Sequence, residues 1–444
     1  MQTLLSLNQQ SSNGLQPTSE RGIAIAVVRK GTERALIEEY LEEIEQLCAT
    51  VGAEIALRIV QERERLDPAT YIGKGKVEQL RSLVGEYAAS FVIFDEGLSP
   101  VQMRNLQQML GVKILDRTML ILDIFAQHAR TLEAKTQVEL AQLQYLYPRL
   151  TRLWTHLERQ YGGIGTRGPG ETQIETDRRL IKQRIAHLKR RLEEIELQRT
   201  VQRKERDHLM RFALVGYTNA GKSTLFNLLT NANVLAEDKL FATLDTTVRR
   251  CRLPSGHDVL LSDTVGFIRK LPAHLVASFH STLAEAADSD VLIHVADCSH
   301  PALDRQIESV METLTQLSME SKPQLLVLNK VDQLSGHSTT TVESLRERYP
   351  HALLVSAASG YNIQRLLRRM EQVVLERSIR TRLFLPFAAM NQLPYIYSNA
   401  VVEQRQETEN GIILDLLIPE PRSGMLAAVL EQYGSNVQLS AGQG

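Results

Sequence analysis

Eight consecutive residues near the middle of the chain have the types and spacing of a phosphate-binding loop. They are Gly216, Tyr217, Thr218, Asn219, Ala220, Gly221, Lys222 and Ser223. Apolar residues 212–215 precede the run and the helix-forming stretch 224–229 follows it, which predicts a strand, a loop and a helix. The two glycines permit a tight turn that aims successive backbone N–H groups at phosphate oxygens. We therefore predict that Lys222 reaches the terminal phosphates of a nucleotide and that the Ser223 hydroxyl binds Mg²⁺.

Three further clusters follow this loop in the order that a guanine-nucleotide switch requires. They are Asp263-Thr264-Val265-Gly266, Asn329-Lys330-Val331-Asp332 and Ser356-Ala357-Ala358. We expect Asp263 to hold Mg²⁺ through water and the Gly266 N–H to sense the γ-phosphate. Asp332 can accept hydrogen bonds from the guanine N1–H and 2-amino group, with Asn329 and Lys330 framing the base. Because adenine lacks that amino donor, this pocket favours guanine, whose O6 would accept from the N–H groups of the third cluster.

A fourth cluster lies between the loop and Asp263 and contains the candidate switch threonine. Its residues are Phe241, Ala242, Thr243, Leu244 and Asp245. Thr243 would complete the magnesium shell only when the γ-phosphate is present, and Thr246 and Thr247 are alternatives to it. The candidate metal ligands are therefore Ser223 and Thr243, and the candidate catalytic residues are Lys222, Thr243, Gly266 and Asn219.

The residue after Gly266 predicts slow intrinsic hydrolysis. Phe267 stands where Ras-like switches carry the glutamine that orients the attacking water. A phenyl ring cannot hydrogen-bond water, so turnover should depend on something outside this position. Our hypothesis is that a partner rearranges the switches and that a K⁺ ion near Asn219 supplies the missing positive charge.

The composition of the 444 residues is that of a globular protein with several domains. Hydrophobic residues make up 43% and charged residues 23%, with a net charge of −1 that carries no global nucleic-acid signature. The three scattered cysteines predict buried thiols in a reducing compartment. No apolar run reaches transmembrane length, so we expect a cytoplasmic monomer without membrane insertion.

The alternation of strands and helices predicts a multidomain α/β protein. Its predicted parts are a disordered leader (1–20), a small N-terminal α/β domain with a parallel sheet (21–131), an antiparallel helical hairpin (132–207), a doubly wound P-loop GTPase domain (208–380) and a small α+β C-terminal domain (381–444). In the last domain we expect a strand over residues 411–418 and a helix over 423–433. That domain shows no recognisable chemistry, which is typical of a docking module.

The hairpin is indicated by two apolar seams with steps of three and four residues. The first seam is Leu143, Leu146, Leu150, Leu153 and Leu157, and the second is Ile181, Ile185, Leu188, Leu192 and Ile195. The glycine-rich residues 162–170 between them predict a tip loop that approaches another backbone closely. Residues 178–211 carry twelve basic and five acidic side chains, a net charge of +7. Such a run is typical of a solvated helix face, but beside this tip it favours a phosphate-backbone contact.

With these motifs the chain resembles the HflX-type GTPase family over nearly its whole length. Motifs outside the GTPase region contribute to the resemblance: Gly73-Lys74-Gly75-Lys76, the stretch from Phe94-Asp95 to Leu98-Ser99-Pro100, Asp116-Arg117-Thr118 running on to Leu122-Asp123-Ile124-Phe125-Ala126, Gln137-Val138-Glu139-Leu140-Ala141, and Gly162-Gly163-Ile164-Gly165 through Gly168-Pro169-Gly170-Glu171-Thr172. The C-terminal segment is the part least typical of the family.

The resemblance implies a GTPase that binds the large ribosomal subunit and splits stalled ribosomes under stress. It also implies that the tip loop points toward the peptidyl-transferase centre and that Ser223 and Thr243 are magnesium ligands. Family members hydrolyse ATP as well, although the N-terminal region shows no complete ATP fingerprint. Two alternatives stay open: a nucleotide-gated scaffold for a protein partner, and an ATP-dependent RNA-remodelling enzyme.

Overall fold

The structure, a computed structural model, describes residues 20–153, 169–204, 209–230, 232, 240–241, 243–269, 285–334 and 341–419. The chain divides into two compact units. Unit 1 comprises residues 1–195, 237–245 and 269–282, and unit 2 comprises residues 196–236, 246–268 and 283–444. Unit 1 therefore includes two short segments that follow the phosphate loop in the sequence. Within the described part of the chain, no helix is both long and apolar enough to span a membrane.

The N-terminal part of unit 1 contains the predicted parallel sheet. Its strands are β1 (Arg21–Val28), β2 (Glu54–Glu62), β3 (Phe91–Phe94) and β4 (Lys113–Asp116), arranged in the order β2-β1-β3-β4. The two central strands are almost wholly buried because helices cover both faces of a parallel sheet. A Cβ atom on Gly22 would lie 2.2 Å from the ring of Phe91, so glycine permits this close pairing of β1 and β3.

Four helices accompany this sheet, and polar caps fix where two of them begin. They are α1 (Arg34–Thr50), α2 (Lys74–Glu86), α3 (Pro100–Leu110) and α4 (Arg117–His128). Ser99 and Gln102 form a reciprocal capping box at α3, with proline at the first helical position. At α4 the Asp116 carboxylate accepts from the N–H groups of Met119 and Leu98. The turns at the carboxyl ends of β3 and β4 are thereby held in place.

Two long helices follow, α5 (Leu132–Leu153) and α6 (Pro169–Lys204). Their contact is an apolar cluster from the predicted seams together with one residue that the seams omit, Leu140. The cluster contains Leu140, Leu143 and Leu188, with Ile181, Ile185 and Leu192 packed against it. A bidentate ion pair between Arg184 and Glu139 flanks this cluster. The seam prediction is therefore confirmed for Leu143 and for four residues of the second seam, whereas Leu146 and Ile195, whose side chains are also described, are not in the cluster.

The predicted tip loop, residues 162–170, is corrected at its end. Helix α6 begins at Pro169, so Pro169 and Gly170 are helical. Proline suits a first helical turn because its missing N–H would have no partner there. Residues 162–168 and Leu157 lie outside the described residues.

Unit 2 contains the predicted doubly wound sheet. Its strands are β5 (Arg211–Val215), β6 (Thr247–Arg252), β7 (Asp258–Asp263), β8 (Val291–Asp297), β9 (Gln324–Asn329) and β10 (Leu353–Leu354), in the order β10-β9-β8-β5-β7-β6. Five strands are parallel, in agreement with the doubly wound domain that is predicted for residues 208–380. The antiparallel edge strand β6 was not predicted, because Cys251 is its only fully buried residue and three of its six residues are arginines.

The helices of this sheet are α7 (Lys222–Thr230), α8 (Leu303–Gln316), α9 (Val342–Arg348) and α10 (Ile363–Glu376). The apolar sides of α7 and α10 share one core with β5, β7 and β8. Since parallel strands end at a common edge, the segments after β5, β7 and β9 are brought together there. These segments carry three of the motifs predicted to bind nucleotide.

A smaller sheet ends the described chain. Its strands are β11 (Ser378–Pro386), β12 (Val401–Thr408) and β13 (Gly411–Pro419), antiparallel in the order β11-β13-β12, with helix α11 (Leu393–Asn399) between the first two. The predicted boundary at residues 380/381 falls inside β11, because only Arg377 separates that strand from the end of α10. Only β13 was predicted, and the helix predicted over 423–433 lies outside the described residues.

Candidate nucleotide-binding site

The phosphate loop joins β5 to α7, and two glycines allow its path. Gly216 has φ of +152°, and a Cβ there would lie 2.1 Å from the carbonyl oxygen of Val295. Gly221 has φ of +88°, and a Cβ there would lie 2.3 Å from Nδ2 of Asn329. Asn219 also has a left-handed backbone, with φ of +61°, which asparagine tolerates better than most residues. The loop therefore requires glycine for close approach to its neighbours.

Lys222 is buried beneath this loop. Its ammonium donates hydrogen bonds to the carbonyl oxygens of Gly216, at 3.1 Å, and Tyr217, at 2.8 Å. Burial lowers the pKa of Lys222 to about 8, and the nearby Asp263 carboxylate opposes this shift. An anion beside the ammonium favours its charged form. The geometry therefore suits a phosphate group more than a neutral ligand.

The two groups predicted to serve the magnesium ion lie together. The Ser223 hydroxyl donates to Oδ2 of Asp263 over 2.6 Å, which links the start of α7 to the end of β7. Asp263 is fully buried, and its carboxylate is close enough to Lys222 to affect the pKa of the ammonium. A hydroxyl and a carboxylate are the hard oxygen donors that Mg²⁺ prefers when nucleotide phosphates complete its shell. These residues fit such an ion.

The segment after Asp263 lies against the phosphate loop. Phe267 donates its N–H to the Gly216 carbonyl over 3.0 Å and accepts from the Thr218 N–H over 2.8 Å. A Cβ on Gly266 would lie 2.8 Å from Cα of Thr218 and 3.1 Å from Nζ of Lys222. Gly266 therefore lies beside Thr218 and the Lys222 ammonium, and its role as the γ-phosphate sensor stays a prediction. The Phe267 side chain is buried, with 2% exposure, so it cannot orient a water molecule.

The base-recognition motif is tied to the phosphate loop through Asn329. Its side-chain amide donates to the Ala220 carbonyl and accepts from the Ala357 N–H, both over 2.9 Å. Lys330 forms a 2.8 Å ion pair with Asp297, and Asp332 is exposed in a short 3₁₀ turn after β9. The structure therefore brings the predicted base-framing residues and the phosphate loop into one connected site.

In the cluster Ser356-Ala357-Ala358, two of the three backbone N–H groups donate hydrogen bonds within the protein. The Ser356 N–H donates to the Tyr361 carbonyl, and the Ala357 N–H is the one that Asn329 receives. The third residue of the cluster, Ala358, is exposed, and its N–H takes part in neither of these two hydrogen bonds. Binding of the guanine O6 by this cluster stays a prediction.

The switch-threonine cluster belongs to unit 1. The ring of Phe241 packs edge-on against that of Phe125, with centroids 4.8 Å apart. Asp245 accepts hydrogen bonds from the N–H groups of Arg130 and Thr131 at the start of α5. Thr243 is half-buried and Thr247 is the first residue of β6, whereas Ala242 lies outside the described residues.

Two residues that the motifs did not indicate contribute to this site. Asp297 ends β8 beside the base-framing strand, and its position at a strand's carboxyl end was the available signal. His294, on the same strand, is buried, and burial together with the charge of Lys222 lowers the pKa of His294 to about 4. Nothing in an isolated apolar strand distinguishes that histidine from an ordinary core residue.

Four family models match consecutive parts of the chain. Their descriptions are GTP-binding GTPase N-terminal (residues 38–126), GTP-binding GTPase Middle Region (128–206), 50S ribosome-binding GTPase (211–330) and HflX C-terminal domain (343–433). The third covers the phosphate loop and the first two residues of the base-recognition motif, Asn329 and Lys330. The fourth covers α10 and the small C-terminal sheet.

Relatives that align over most of their length extend this likeness. The GTPase HflX of Lacrimispora saccharolytica is 44% identical over 93% of this chain and 97% of its own length. The GTPase HflX of Escherichia coli is 43% identical over 84% of this chain and 88% of its own length. A GTP-binding protein of Sulfolobus solfataricus, solved with GDP, is 26% identical over 79% of this chain and 98% of its own, with a TM-score of 0.42.

The geometry of the candidate site agrees with the GTPase descriptions of these family models and relatives. The phosphate loop, the buried lysine and the paired serine and aspartate are the parts that hydrolysis of GTP to GDP and phosphate requires. The relatives align over nearly the whole chain, so the likeness includes the regions before and after the GTPase core. The chain belongs to the HflX family of GTPases.

Proposed function

We propose that the chain binds the large ribosomal subunit, couples this binding to its GTP cycle, and splits stalled ribosomes under stress. The match of residues 211–330 to the 50S ribosome-binding GTPase model supports the choice of partner. A monomer in the cytoplasm is part of the proposal, and the three free, buried cysteines accord with a reducing compartment.

The observation that carries the proposal is the exposed basic side of α6. Four exposed cations lie within an arc of about 100° when the helix is viewed down its axis: Arg179, Lys182, Lys189 and Arg190. The apolar seam of α6 occupies a different side, where Leu188 is buried against α5. An exposed row of cations on a packed helix is suited to binding the phosphate backbone of ribosomal RNA.

Co-sedimentation with separated ribosomal subunits tests the proposal directly. We expect retention on the large subunit with GTP or a non-hydrolysable analogue, and release with GDP. The large subunit should also raise GTP turnover strongly. Equal retention with di- and triphosphate would contradict the coupling, and turnover unaffected by saturating subunits would contradict the choice of partner.

Charge reversal separates RNA contact from simple solvation of α6. Lys189→Glu combined with Arg190→Glu should weaken subunit binding by about 10-fold to 100-fold and reduce its salt dependence. The matched control is Lys30→Glu combined with Arg34→Glu, which reverses two exposed charges elsewhere in unit 1. Equal subunit binding by both variants would show that the cations of α6 are only solvated and do not contact RNA.

The proposed base recognition rests on Asp332. Asp332→Asn should shift the preference from guanine to xanthine nucleotides, because the xanthine C2 carbonyl needs a donor where guanine presents an amino group. The measurement is competition of GTP and XTP for the site. Unchanged selectivity would remove Asp332 from the base contact and leave the phosphate site unaffected.

The proposed potassium ion follows from the buried Phe267, which cannot activate water. Asn219, held in a left-handed conformation in the phosphate loop, is the proposed ligand. Turnover with large subunits present should be several-fold faster in potassium than in sodium buffer. Equal rates in the two buffers would exclude this ion.

Ribosome splitting is assigned to the predicted tip. Deleting residues 162–170 should leave GTP binding unchanged and impair splitting, measured as the fraction of free subunits by density-gradient sedimentation. Full splitting activity in the shortened chain would show that the tip loop only connects the two helices.

A further inference from the structure

One side chain of the phosphate loop, that of Thr218, carries a buried hydroxyl. Thr218 is 5% exposed, and its Oγ1 has no hydrogen-bond partner among the residues that the structure describes. Folded proteins pair nearly all of their buried polar side-chain atoms, because an unpaired one forfeits its hydrogen bonds to water. An unpaired hydroxyl inside a ligand-binding loop is therefore suited to a partner that arrives with the ligand.

The side chain of Thr218 lies close to the ammonium of Lys222. A Cβ atom on Gly266 would be 2.8 Å from Cγ2 of Thr218 and 3.1 Å from Nζ of Lys222, so both side chains border the same point. Lys222 is predicted to reach the terminal phosphates, and Gly266 is predicted to sense the γ-phosphate. The unpaired hydroxyl is therefore on a side chain that adjoins the predicted position of the γ-phosphate, and these residues all belong to unit 2.

The backbone of Thr218 is hydrogen-bonded to the residue that follows Gly266. The Thr218 N–H donates to the carbonyl of Phe267 over 2.8 Å, and the Phe267 N–H donates to the carbonyl of Gly216 over 3.0 Å. Phe267 occupies the position from which the glutamine of Ras-like switches orients the attacking water, but its side chain is apolar and 2% exposed. The two hydrogen bonds thus hold an unpaired hydroxyl beside a position that lacks a polar group.

We propose that Thr218 is a further catalytic residue, whose hydroxyl orients the attacking water in place of the glutamine. A hydroxyl can accept one hydrogen bond while it donates another. The Thr218 oxygen accepts a hydrogen bond from the water, and its O–H donates to an oxygen of the γ-phosphate. The proposal rests on the predicted position of the γ-phosphate beside Gly266.

Thr218 is itself unchanged by the reaction. The oxygen of the oriented water forms a bond to the γ-phosphorus, and the bond between that phosphorus and the β,γ-bridging oxygen breaks. The bridging oxygen keeps the electron pair and leaves as part of GDP. One proton of the water passes to an oxygen of the transferred group, which is released as dihydrogen phosphate. Because the hydroxyl only positions the water, its removal should slow hydrolysis without weakening nucleotide binding.

The test compares single-turnover hydrolysis by the full-length chain with its affinities for GDP and for a non-hydrolysable GTP analogue. Thr218→Val keeps the shape of the side chain and removes the hydroxyl. It should slow hydrolysis about 10-fold to 100-fold and change both affinities less than about threefold. Thr218→Ser keeps the hydroxyl and should hydrolyse GTP within about threefold of the native rate.

A second threonine of unit 2 provides a matched control. Thr381 of β11 is 6% exposed, and its Oγ1 is also buried without a hydrogen-bond partner in the described part of the chain. Thr381→Val makes the same chemical change away from the phosphate loop and should hydrolyse GTP at the native rate. Since each valine replaces an unpaired hydroxyl, the thermal unfolding midpoint without nucleotide should stay equal or rise in both variants.

Three results would overturn the proposal. The first is a native rate of hydrolysis in Thr218→Val, and the second is an equal loss of rate in Thr218→Ser, which keeps the hydroxyl. The third is a loss of analogue affinity in Thr218→Val as large as its loss of rate, because Thr218 would then be a binding residue. Slow hydrolysis by Thr381→Val would equally count against the proposal, since the loss would not be specific to the site.

Gly266→Ala distinguishes failure of this inference from failure of the site assignment. Its Cβ would meet Thr218 and Lys222, so this variant should lose affinity for the analogue, and not for GDP, if the γ-phosphate lies there. If Gly266→Ala loses the analogue and Thr218→Val hydrolyses GTP normally, only the role of Thr218 is wrong. If Gly266→Ala binds both nucleotides normally, the predicted position of the γ-phosphate is wrong and the proposal fails with it.

Discussion

Two groups of buried charge in this molecule are built differently. In the cluster of Arg117, Arg269, Asp95 and Glu43 each cation lies within 3 Å of carboxylate oxygens from two residues. In the phosphate loop, Lys222 donates to two neutral carbonyl groups, and its pKa is lowered to about 8 by burial.

The difference shows how a fold separates structural charges from charges kept for a ligand. In the first group the charges of the arginines and the carboxylates offset one another within the fold. The buried Lys222 ammonium donates to neutral carbonyl groups and has Asp263 as a nearby anion, and nucleotide phosphates beside it would stabilise its charge further. The contrast predicts that substitutions in the first group chiefly reduce stability, and that substitutions in the second chiefly reduce binding.

The largest expected effect is on the ligand side of this contrast. Lys222→Met should lower GTP turnover by about 10²- to 10³-fold, since it removes the cation aimed at the terminal phosphates. The free energy of unfolding without nucleotide should stay equal or rise, because the variant no longer buries an ammonium. Steady-state hydrolysis and chemical denaturation measure the two quantities. A large loss of stability in Lys222→Met would contradict the prediction that substitutions in the phosphate loop chiefly reduce binding.

On the structural side, removing one partner leaves a buried charge uncompensated. Arg117→Met should lower the free energy of unfolding by about 3–5 kcal/mol, measured by denaturant unfolding. Its control is Arg382→Met, which breaks an exposed bidentate pair with Asp415 and should cost far less. Similar losses from both variants would show that burial does not set the value of these pairs.

A smaller effect comes from His294, which is buried near Lys222. Its pKa is about 4 in the folded chain, below the ordinary 6.5, because of burial and then of the Lys222 charge. The unfolded chain therefore takes up the proton first as the pH falls. Stability present above pH 6.5 should decline by about 3 kcal/mol toward pH 4.

His294→Leu should remove this part of the acid sensitivity, whereas His351→Leu, at an exposed histidine, should retain it. Unfolding free energies at pH 7 and pH 4.5 provide the comparison. Equal acid sensitivity in the native chain and His294→Leu would show that another group causes the loss of stability at low pH.

The smallest expected effect is the pH dependence of nucleotide affinity. Since the pKa of Lys222 is about 8 in the free protein, the ammonium loses its proton above that pH. Affinity should be constant from pH 6.5 to 7.5 and then fall by up to about tenfold per pH unit. Titration of a fluorescent GDP up to pH 9.5 would measure this. A flat profile would mean that neighbouring groups keep Lys222 charged in the absence of nucleotide.

Some of this architecture could be predicted because local chemistry specifies it. Gly216 and Gly221 occupy backbone conformations and close approaches that other residues cannot adopt, so their spacing identified the phosphate loop. The central parallel strands were predictable because both of their faces are buried. Strand β6 was not, because an arginine-rich edge strand has no apolar pattern.

The charged cluster could not be predicted for a different reason. Asp95 and Arg269 are 174 residues apart in the chain, and each resembles an ordinary surface charge in its local sequence. Only the fold brings them together. The same holds for Asp297 and Lys330, which meet because neighbouring parallel strands end at the same edge.

The side-chain amide of Asn329 touches the carbonyl of Ala220 with one end and the N–H of Ala357 with the other. One side chain, that of Asn329, therefore supports both the phosphate loop and the segment predicted to recognise the base. We expect substitution of Asn329 to disturb both the phosphate loop and the segment around Ala357. A change of base preference that leaves the phosphate loop intact is therefore expected at the exposed Asp332.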